Sequence, residues 1–97
     1  MLDDESRSLL ESGIDAFVKD VPPEIRARAF RNVHSLLQVK EPDDLVLGVA
    51  IGYILSPFNR KYMEKYGRRP NVEEYGEITV ILINRSNEIR EAISKAS

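Results

Sequence analysis

The chain has 97 residues, 42% apolar and 31% charged, with 14 basic residues against 16 acidic ones and a net charge of −2. That size suits one domain spanning 1–97, which buries about 60–65% of its unfolded surface. There is no cysteine, which excludes disulfides, zinc–thiolate sites, iron–sulfur clusters and thiol nucleophiles and fits a reducing, cytoplasmic setting.

The acidic start, MLDDESRS, has no apolar signal core. Asp3 or Asp4 is placed to N-cap a first helix over about 3–20, with Glu5 near its positive end. Leu10, Gly13, Ile14, Phe17 and Val21 share one face of it, and Val21-Pro22-Pro23 stops it. A second helix is expected over 23–40, with Ile25, Ala29, Val33, Leu36 and Leu37 as its apolar stripe. The short link makes the two an antiparallel hairpin.

The chain is organised around Leu45–Leu55, LVLGVAIGYIL, eleven residues without charge. An element apolar on every side needs cover on most sides, so this run is expected to be a central helix, 43–55, started by Pro42, Asp43 and Asp44. As a helix it reaches about 16 Å, short of the roughly 30 Å of a bilayer core. The spacing Gly48-xxx-Gly52 is expected to let neighbouring backbones approach closely. Read at period two, the same run also suits a strand, with Ile78–Ile83 as its partner, which would give an α+β domain.

Ser56-Pro57 is expected to break the chain before a short aromatic helix, 57–66, carrying Phe58, Tyr62 and Tyr66 and closed by Gly67. Asn71 and Glu74 form an Asn/Glu capping box at the head of a long last helix, 71–95. Between 78 and 83 that helix is apolar on nearly every side. Its middle must be buried from two directions, by the central helix or by a second copy of the protein. The expected fold is therefore all-α, a compact bundle of four to five helices. Its core is Leu10, Ile14, Phe17, Ile25, Val33, Leu37, Val46, Val49, Ile51, Ile54, Phe58, Tyr62, Ile78, Leu82 and Ile89.

Charge is segregated along the chain. Residues 1–24 carry seven acids and two bases, whereas residues 60–70 carry five bases and one acid. Neighbouring helices can complement one another in this way, or a dipolar surface can face a partner. The run Arg60, Lys61, Lys65, Arg68 and Arg69, interleaved with Tyr62 and Tyr66, is the candidate binding surface. Its cations suit phosphates and its tyrosines suit base stacking, and Arg26, Arg28 and Arg31 would extend it. The acidic balance of the whole chain and the inward spacing of the tyrosines favour a solvated or internally paired face.

His34, the one histidine, has no acid at a coordinating or orienting spacing and is expected at the edge of an apolar stripe. Glu73, Glu74 and Glu77, like Asp43 and Asp44, sit where a helix dipole favours acids, without histidine company for a metal. No phosphate-binding glycine loop, H-E-x-x-H, G-x-S-x-G or EF-hand pattern occurs. No catalytic residue, cofactor or metal ligand is assigned.

The stretch Gly67-Arg68-Arg69-Pro70-Asn71-Val72-Glu73-Glu74 resembles the G-R-x-P-T-x-E-E helix start of several helical DNA-binding domains, including sigma factors. It covers eight residues, and its parts are generic: a turn, a proline, a cap and acids at a helix N-terminus. The functional expectation is a non-enzymatic, cytoplasmic helical interaction module, a homodimer with surplus apolar surface at 45–55 and 78–83. The alternative is a small nucleic-acid-associated protein using 60–69.

Overall fold

The computed structural model of the chain describes residues 1–26 and 42–96, the side chains of Glu24, Arg26 and residues 42–45 excepted. The described residues form helices and no strand: α1 (Asp4–Lys19), α2 (Pro23–Arg26), α3 (Pro42–Tyr66), α4 (Val72–Asn84) and α5 (Ser86–Ala96). The fold is all-α. Both segments that also suit strands by their sequence, 45–55 and 78–83, are helical. The remainder of the expected second helix, with Val33, Leu37, Arg28, Arg31 and His34, lies outside the described residues, as does the side chain of Arg26.

α1 begins as its sequence indicates. Asp3 is the N-cap, and its carboxylate accepts a 2.7 Å hydrogen bond from the Ser6 N–H. Ser6, Leu10, Ile14 and Phe17 form the buried line of α1 at three- and four-residue steps. That line packs along α3 on one side and α5 on the other.

Pro57 does not break the chain. α3 runs unbroken for 25 residues, about 37 Å at helical rise, close to the 38 Å long dimension of the molecule. The expected helices 43–55 and 57–66 are one element. The reason is the buried series Val46, Ala50, Ile54, Phe58 and Tyr62, which continues at i+4 straight through the proline. A helix-interior proline costs about 3 kcal/mol relative to alanine. Burying Phe58 and Tyr62 contributes about 1.5–3 kcal/mol each, and the chain keeps both only by staying helical. Pro57 itself points outward.

Gly67 ends α3 in the left-handed conformation, φ 68°, with its N–H donating to Met63 O at 2.8 Å. That backbone region favours glycine. α4 then opens with the expected capping box: Asn71 Oδ1 accepts from the Glu74 N–H at 2.8 Å, and Glu74 Oε1 accepts from the Asn71 N–H at 2.9 Å.

The expected last helix is divided in two. Arg85, at φ −109° and ψ 8°, caps α4 and turns the chain into α5. Asn84, Ser86 and Asn87 are weak helix formers whose side chains compete for backbone groups, and Ser86 Oγ donates to Ile83 O at 2.8 Å. The Ile89 N–H still reaches Arg85 O at 3.1 Å, so the interruption is one residue long. The apolar period therefore crosses it undisturbed, which is why 71–95 reads as one helix.

The expected core residues Leu10, Ile14, Phe17, Ile25, Val46, Ile54, Phe58, Tyr62, Ile78, Leu82 and Ile89 are buried, joined by Leu2, Val21 and Ala50. Val49 and Ile51 flank the buried line of α3 and are only half-buried. Gly48 and Gly52 face outward, and a Cβ built on either meets nothing within 4 Å. Among the described residues, no neighbour within the chain uses the glycine spacing for close approach.

Candidate functional site

The basic stretch is the first candidate, and the fold takes up two of its five cations. Lys65 Nζ lies 2.6 Å from Glu5 Oε2 and 3.3 Å from Asp3 Oδ2, and the Tyr66 hydroxyl also donates to Asp3. Arg68 Nη1 lies 3.0 Å from Glu74 Oε1. The aromatic residues are engaged too. The Tyr62 and Tyr66 rings pack at a 42° tilt with centroids 4.5 Å apart, Arg68 lies 5.5 Å from the Tyr62 ring, and Lys65 lies 5.1 Å from the Tyr66 ring. The acidic start of the chain thus meets the basic end of α3, one of the two outcomes that charge segregation leaves open. Arg60, Lys61 and Arg69 are exposed and form no ion pair among the described residues.

Glu74 is the centre of a buried polar cluster that periodicity does not reveal. Only 3% exposed, it accepts from the Asn71 N–H, from the Tyr62 hydroxyl at 2.5 Å and from Arg68. The Asn71 hydrogen bond, then those of Tyr62 and Arg68, hold its carboxyl down to about 2. Burial, with the Glu74 carboxylate beside it, pushes the Tyr62 hydroxyl above its ordinary value. Three hydrogen bonds from Asn71, Arg68 and Tyr62 converge on its two oxygens, so this acid acts as a clamp between α3 and α4.

Arg85 is a second hub. Its guanidinium reaches Glu11 Oε1 and Glu11 O at 3.2 Å, Asp15 Oδ1 at 2.6 Å, and Glu88 through Nε at 2.7 Å. The α4–α5 bend is thereby tied to α1. Of the acids grouped at the start of α4, Glu77 accepts from the Leu2 N–H at 2.6 Å and from Arg7 at 3.3 Å, while Glu73 faces solvent. Among the described residues no group of three or more His, Cys, Asp or Glu side chains is placed to hold a metal ion, and no described helix is long and apolar enough to cross a membrane.

The remaining candidate is the outward face of α4. Ile78 and Leu82 point into the core, while Val72 is 89% exposed, Val80 55% and Ile83 64%. At about 100° per residue, Val72, Gly76, Thr79, Val80 and Ile83 share an arc opposite the buried line. The Thr79 hydroxyl is satisfied within the helix by Tyr75 O at 2.8 Å, so the stripe asks for no polar partner. Beside it runs a shallow groove of about 580 Å³ lined by Arg7, Glu73, Gly76, Glu77, Val80 and Ile81. The sequence signal for this face is the all-round apolarity of 78–83. No family model, curated protein or solved structure matches the chain.

Proposed function

We propose that this chain is a non-enzymatic, cytoplasmic protein-interaction module that self-associates through the outward face of α4. In this reading the helices form a compact bundle around the apolar run of α3, and the bundle serves to present α4. The observation that carries the reading is the line Val72, Val80 and Ile83, exposed on the side of α4 opposite Ile78 and Leu82. A helix apolar on both faces and covered on one is the mark of a surface awaiting a partner. Light scattering across micromolar to millimolar concentrations tests it. The wild type is expected to be a dimer, and Val80→Glu combined with Ile83→Lys is expected to weaken the dimer at least tenfold with helical content retained. A wild type that stays monomeric throughout the range refutes the reading.

A nucleic-acid surface at 60–69 has less support, because Lys65 and Arg68 are already paired with acids of the same chain. The cations left for phosphates are Arg60, Lys61 and Arg69. Such a surface would show a salt-dependent affinity that falls when these three are replaced by alanine.

A further inference from the structure

No further inference is drawn: the strongest candidate, the groove of about 440 Å³ along the seam of α1 and α3 lined by Ala16, Phe17, Ile54, Pro57, Phe58 and Lys61, is a largely apolar face, and nothing in the structure shows what covers it.

Discussion

Pro57→Ala is expected to make the protein more stable, although proline 57 looks in the sequence like a deliberate stop. In α3 the proline cannot donate the hydrogen bond that an ordinary residue would give to the Tyr53 carbonyl, and its ring crowds the preceding turn. Alanine restores the donor. The helix-interior difference is about 3 kcal/mol, and the freer unfolded chain of the alanine variant returns about 0.4–1 kcal/mol of it. Pro57 points outward, so little buried area is lost with its ring. The net gain is about 2 kcal/mol, which raises the thermal midpoint of a domain this size by about 8–16 °C. Urea unfolding followed by circular dichroism, at one dilute concentration for both proteins, reads the change. The midpoint should rise by about 1 M or more at an unchanged slope. An equal or lower midpoint would refute the argument. It would mean that the proline itself holds Ile54, Phe58 and Tyr62 in place, rather than being tolerated for their sake.

Acid stability should report Glu74. Its carboxyl is held down to about 2 in the fold, from an ordinary value of 4.5. The stability it contributes is therefore fully present above about pH 4.5 and lost as pH falls towards 2. Glu74→Gln should flatten the pH dependence of the urea midpoint in that window by about one proton per chain, and parallel profiles for variant and wild type would count against the clamp. Gly48→Ala and Gly52→Ala should each stabilise the protein by about 0.5–1 kcal/mol, because a Cβ at either position meets nothing within 4 Å among the described residues. A loss of stability or of dimer at either site would show that these glycines are needed for close approach after all.

The caps are legible in the sequence alone. Asp3 and Asn71 with Glu74 announce helix starts because their side chains bond N–H groups a few residues away, and Gly67 announces an end because of its own backbone freedom. The inward faces of α1, of α4 and of most of α3 are legible for a similar reason, since helical periodicity is a local property. Two boundaries are not. At Pro57 the local cost of proline loses to the burial of Phe58 and Tyr62 against the rest of the fold. At Arg85 an uninterrupted apolar period hides a one-residue turn, stabilised by Glu11 and Asp15, seventy or more positions earlier.

The candidate sites divide in the same way. The chain's order of residues displays a basic stretch at 60–69 and an apolar run at 78–83, and leaves each with two possible uses. Only the tertiary structure matches Lys65 with Asp3 and Glu5, for partners about sixty residues apart are invisible to local spacing. It likewise brings Arg68 and Tyr62 onto Glu74 across the turn between α3 and α4. Sequence by itself determines the helix starts and that 78–83 is apolar on nearly every side, because both follow from side-chain chemistry. That 45–55 and 78–83 are helices and not paired strands is decided only by the tertiary structure. Which side of α4 stays uncovered is decided by the packing of α1, α3 and α5, because each buried face needs another element to exclude water from it.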